Sequence, residues 1–265
     1  NWQAYRLGQM MLAQPLAAPS NGAGALVLAD SQKIAPLLYL QVVEGVRPDL
    51  DIRVLPDEAA YRAALDAGLA AGQTVYLGRY LPGLAGALHL RSVGALVEAS
   101  LQPLLTAAPQ TSVAADGRGY AFGGQIALIG FDSGEREGVV AGEQGSEPWP
   151  LTLYWRALSP PDGNYLVRLR LLDADGQTAW AQPARVPVGG MNPTFAWIPG
   201  EIIPDYHGLD LPPTLPPGEY TLQVGLFAPF EPRGLTVAGN GDWFSLGKLS
   251  LVAPLIPPAP ARPPP

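Results

Sequence analysis

From about Tyr120 onward the apolar residues recur at every second position, and no other feature restricts the fold of this chain so strongly. In LTLYWRA (151–157), Leu151, Leu153 and Trp155 share one face, while Thr152, Tyr154 and Arg156 share the other. NYLVRLRLLD (164–173) sets Tyr165, Val167, Leu169 and Leu171 against Leu166, Arg168, Arg170 and Leu172. EYTLQVGLF (219–227) repeats the pattern with Tyr220, Leu222, Val224 and Leu226. A period of two belongs to extended strands with one buried face, typical of antiparallel sheets. SPPDGN (159–164) and DADG (173–176) supply turn chemistry between them. Further strands are expected near 120–131, 136–142, 177–186, 194–203 and 243–252, which together make a two-sheet sandwich of immunoglobulin or jelly-roll type. Trp155 and Tyr165 are then core residues and not a displayed aromatic surface.

The first half reads differently. GALVLAD (24–30) is a continuous apolar run, the pattern of a buried parallel strand. In the segment that follows, Ile34, Leu37, Leu38 and Val42 stand near helical spacing, with Gly45 as a stop. DIRVLP (51–56) predicts a second strand. Asp57 is placed to cap a helix whose Tyr61, Leu65 and Leu69 share one face. TVYLGRY (74–80) predicts a third strand, 87–100 adds one or two edge strands, and 2–14 reads as a lead-in helix.

This alternation predicts a small Rossmann-like parallel α/β domain over 1–110, followed by an antiparallel β-sandwich over 111–252 and a proline-rich tail over 253–265. The linker is expected within 100–118, where periodicity lapses. The expected fold class is therefore α/β plus all-β.

Composition narrows the function classes. The net charge of −7, with only two lysines (Lys33 and Lys248) among 16 basic residues, argues against a nucleic-acid partner. Cysteine is absent, which removes disulfides, thiolate metal sites and cysteine nucleophiles. No apolar run reaches the roughly 18–20 residues that span a bilayer. The chain opens at Asn1 without an initiator Met, so a processed product or a piece of a longer protein is expected.

No complete catalytic or cofactor motif is present. The turn after 24–30 is ADSQ, whereas a nucleotide phosphate needs glycines there. Asp173-Ala174-Asp175 begins like a metal loop but lacks the later ligands, and a hairpin turn accounts for it. His89 is expected in a strand and His207 in a loop, without two-His zinc spacing. No cofactor, metal site or catalytic residue is therefore assigned. WIPGEIIPDYHG (197–208) concentrates polar and aromatic groups: Trp197, Glu201, Asp205, Tyr206 and His207. With Pro199 and Pro204 it reads first as a rigid crossover loop. As a ligand site, its rings would stack on a sugar and its carboxylates would accept hydroxyl hydrogen bonds.

The order LADSQKIAPLLYLQVVEGVRPDLDIRVLP, TVYLGRY, LTLYWRA, WIPGEIIPDYHGLDLP and PPGEYTLQVGLF resembles the C-terminal region of certain bacterial multi-spanning membrane proteins. These are glycosyltransferase-C-like proteins akin to protein O-mannosyltransferases. The resemblance implies an extracytoplasmic location in the cell envelope and a membrane connection through a portion preceding Asn1. It also implies a non-catalytic accessory role in glycan or acceptor-protein recognition, or in structural support. The family's catalytic acids lie in loops between membrane helices, so none carries over to this chain. The rival readings are a free-standing cell-surface assembly protein, self-associating through its proline tail, and a sugar-active enzyme using Glu201 and Asp205. The enzyme would need those two carboxylates about 5–10 Å apart across a cleft.

Overall fold

The computed structural model describes residues 8–9, 11–12, 24–30, 34–104, 118–135, 137–140, 148–237 and 241–253. Its first portion holds β1 (Leu26–Ala29), α1 (Ile34–Val42), β2 (Asp51–Arg53), α2 (Glu58–Ala70), β3 (Val75–Gly78), β4 (His89–Val93) and β5 (Leu96–Ser100). Asp57 caps α2 by accepting the Ala60 N–H at 2.8 Å, as its position predicts. Tyr61 and Leu65, one helical turn apart, are buried on the strand residues Leu26, Leu28, Val75 and Leu77. The helix approaches closely because residue 68 is glycine: a Cβ there would lie 3.0 Å from Val75. On the other face of the sheet, Leu37 and Leu40 of α1 pack with Ala25, Val27, Ala29 and Tyr76.

This portion corrects the expected fold class. The strand order is β2-β1-β3-β5-β4, and only β2, β1 and β3 run parallel. After β3 no helix carries the chain across. It doubles back instead, and β5 pairs antiparallel with both β3 and β4. Val93 lies opposite Leu96, leaving a two-residue turn with Gly94 at φ 54°, the positive angle such tight hairpins require. The sheet is mixed, the described residues form three sheets and two α-helices, and the chain is mostly β. Among the described residues there is no Rossmann-like parallel α/β domain. The physical reason is pairing: a short apolar strand carries the same local pattern whether it arrives by a crossover or by a hairpin.

The second portion is a sandwich. One sheet, in the order β12-β9-β7-β6, comprises β6 (Tyr120–Phe122), β7 (Ile126–Ser133), β9 (Trp149–Ala157) and β12 (Ile202–Leu209). The other, in the order β11-β10-β13-β14-β8, comprises β8 (Val139–Val140), β10 (Leu166–Leu172), β11 (Thr178–Ala181), β13 (Gly218–Phe227) and β14 (Phe244–Val252). Pairing is antiparallel except between β14 and β8. Burial in β9 and β10 alternates residue by residue, as the period of two demands. Trp155 is fully buried and meets Phe122 in a T-shaped arrangement, 5.6 Å between ring centres.

The strand expected over 194–203 is a correction of detail. Thr194–Ala196 form one 3₁₀ turn, and the strand starts only at Ile202, after Pro199 and Gly200 at φ 87°. Conversely, 202–209, expected as the second half of a loop, is a strand. Pro204 is tolerated there because β12 is an edge strand, where a missing N–H costs no ladder bond.

Sheet β2-β1-β3-β5-β4 and the sandwich share one buried cluster, which runs from Leu28 and Leu90 through Trp155 to Leu169 and Leu222. The linker expected over 100–118 falls largely on 105–117, outside the described residues, as do the proline-rich residues 254–265 and most of the lead-in segment 2–14. Among the described residues, no helix is long and apolar enough to cross a membrane.

Candidate functional site

Strand β12 and the residues before it hold all five residues singled out by sequence, but the fold separates them. Trp197 is buried, and its Nε1–H donates to the Asn192 carbonyl at 3.0 Å. Asn192 in turn donates from Nδ2 to the Leu90 carbonyl of β4 at 3.3 Å. Trp197 therefore ties the sandwich to the mixed sheet and offers no open face to a ligand. Glu201 does the same by another route: its Oε1 lies 2.6 Å from Nδ1 of His89, across the same junction, with both side chains largely buried. His89 occupies the first position of β4, as expected of it.

Asp205, Tyr206 and His207 lie further along β12. Side chains alternate there, so Asp205 and His207 share the inward face with Ile203 and Leu209 while Tyr206 faces the other way. Asp205 is 1% exposed and its carboxylate is surrounded by donors. Oδ1 accepts the Val188 N–H at 2.7 Å. Oδ2 accepts the Trp155 indole N–H at 3.3 Å and lies 2.8 Å from Nε2 of His207. The other ring nitrogen of His207 is 3.3 Å from Oε1 of Gln182, whose Nε2–H donates to the Gly208 carbonyl at 3.2 Å. A charge this deep is tolerated only when its lone pairs are filled in this way.

The fold gives Glu201 and Asp205 different partners. They stand four residues apart in sequence, about 13 Å of backbone at strand rise. Each is also already committed to partners of its own.

What Asp205 does hold is a strained turn. Val188 has φ 55°, followed by Gly189 at 61° and Gly190 at 91°. Glycine adopts such angles freely, but a β-branched residue does so at a cost of about 1–3 kcal/mol. Val188 persists because its side chain is fully buried in the shared core and its N–H is bound by Asp205. Strain of this kind collects at ligand-binding walls, and here the turn forms one wall of a cleft of about 460 Å³. The β4–β5 hairpin forms the opposite wall through Ser92 and Gly94–Val97. Asp205, Tyr206 and His207 line it from β12, with Arg185 and Asp210 also contributing. The volume falls in the range of small-molecule sites, and junctions between structural layers are where such sites gather.

Sequence reading found Asp205, Tyr206 and His207 but not Arg185, Gln182 or the Val188 turn. The one available signal was the Gly189-Gly190 dipeptide, a turn marker. The residues of the Asp173 turn, weighed as a metal loop, use their carboxylate locally: Asp173 Oδ1 accepts the N–H groups of Asp175 and Gln177 at 3.0 and 2.8 Å.

No protein-family model matches this chain, and no curated protein matches it. Among solved structures, an immunoglobulin-like protein from Pseudomonas aeruginosa is similar at 13% identity and a TM-score of 0.25, covering 48% of this chain and 97% of its own.

Proposed function

We propose that this chain is a non-catalytic recognition module: the extracytoplasmic accessory region of a membrane glycosyltransferase-like protein, holding a glycan or glycan acceptor in the cleft beside β12. The membrane and transferase parts of this reading rest on the resemblance of the segments from LADSQK to PPGEYTLQVGLF. The binding part rests on one observation, the strained Val188 turn that Asp205 locks into a cleft wall. A preformed wall lowers the ordering cost of binding. Tyr206 supplies an aromatic surface in the cleft and Asp210 an acceptor for sugar hydroxyls.

Such an open site binds weakly, with a Kd around the millimolar level, about −4 kcal/mol. Calorimetric titration of neutral cell-envelope oligosaccharides into wild type and Tyr206→Ala, both checked for folding, is the test. Saturable heat in wild type that falls in the variant supports the reading. An absence of saturation with every oligosaccharide leaves a structural brace and removes the recognition role.

A further inference from the structure

We infer that the sugar unit favoured by this cleft is anionic, and that Arg185 reads its charge. The inference rests on the recognition reading above and adds the ligand's chemical class. Seven other arginines are engaged with carboxylates or rings. Arg47, Arg53, Arg62 and Arg91 form ion pairs with Asp49, Asp51, Glu58 and Glu98. Arg79, Arg168 and Arg170 lie over the rings of Tyr61, Phe227 and Trp243. Arg185 has neither kind of partner among the described residues, is exposed, and lines the cleft.

Its backbone is nevertheless fixed. Arg185 N–H donates to the Val167 carbonyl at 3.0 Å and its carbonyl accepts the Val167 N–H at 2.8 Å, a bridge to β10. The side chain therefore springs from a rigid point three residues before the Val188 turn. An unpaired guanidinium on a fixed backbone presents a planar fork of donors that matches a carboxylate or phosphate with two hydrogen bonds.

The remaining charges of the cleft fit this assignment. Asp205 is buried and already compensated by Val188, Trp155 and His207. Asp210 is exposed and can accept hydroxyls of the same sugar ring. The chain's overall charge of −7 acts from a distance, and salt screens such fields beyond about 8–10 Å. The ligand is thus a sugar that carries an acidic group at one end and hydroxyls elsewhere, either a hexuronate or a sugar phosphate.

The test titrates three oligosaccharides of equal length: a neutral one, one containing a hexuronate and one carrying a phosphate ester. Wild type, Arg185→Gln and Arg185→Lys are compared at moderate salt. The expected result is an acidic ligand bound about tenfold tighter than the neutral one, equivalent to about 1.4 kcal/mol. The hexuronate and phosphate arms identify which anion is read. Arg185→Gln should erase the preference, and Arg185→Lys should retain part of it. Equal affinity for neutral and acidic ligands in wild type overturns the inference but leaves glycan recognition standing, as does a preference that survives Arg185→Gln. Binding of none of the three overturns both.

Discussion

Asp205 Oδ1 accepts the backbone N–H of Val188 at 2.7 Å, and this one bond joins a buried carboxylate on an edge strand to a valine at φ 55°. Asp205→Asn keeps the shape but puts an amide N–H₂ where an oxygen accepted from Trp155 and His207. Losing acceptors for buried donors costs about 1–3 kcal/mol each, so a loss of about 3 kcal/mol is expected. Urea denaturation measures it. A midpoint unchanged within error would show that Trp155 and His207 do not depend on the second carboxylate oxygen.

Trp155→Ala should be among the most damaging single changes. Its ring is fully buried between the two sheets, against Phe122. Large aromatic truncations in cores cost about 3–5 kcal/mol. The change also removes one donor from Asp205. A melting temperature close to that of wild type would contradict this packing.

The His89–Glu201 contact bridges residues 112 positions apart at 2.6 Å. Because it is largely but not fully withdrawn from water, its coupling should be modest, about 0.5–1.5 kcal/mol. A double-mutant cycle of His89→Gln and Glu201→Gln isolates it. Strict additivity would mean that the junction is held by Leu90, Trp197 and Asn192 without help from this pair.

Alkaline pH should weaken the fold. Tyr165 is pushed up to about 12, first by burial and then by its hydrogen bond to Asp162. Tyr154 is raised too, by burial and then by its 2.5 Å bond to Asp132. A folded value above that of free tyrosine means that the unfolded chain gives up its protons first. The stability from Tyr165 is therefore fully present below about pH 10 and is lost as pH rises toward 12. Absorbance titration at 295 nm should show late-ionising tyrosines, and Tyr165→Phe should remove one of them. Early ionisation of every tyrosine would exclude these contacts.

Much of the local structure was legible in the sequence. Alternation in 151–157, 164–172 and 219–227 specifies strands and their buried faces, because a pleated strand must turn successive side chains to opposite sides. Asp57 and the 61/65 spacing specify α2 for an equally local reason, helical period and capping. Tertiary structure alone decided which strands became neighbours. Residues 89–100 turned back as a hairpin and made the first sheet mixed, a choice settled by long-range burial against the sandwich core. It also decided the site. The segment 197–208 carries its polar groups in sequence order, yet packing sent Trp197 and Glu201 to the junction with β4 and Asp205 to the Val188 turn. Arg185 and Val188, distant from β12 in sequence, reached the cleft through a bridge to β10 and a left-handed turn. Neither leaves a periodic trace, because both depend on hydrogen bonds between residues far apart in the chain.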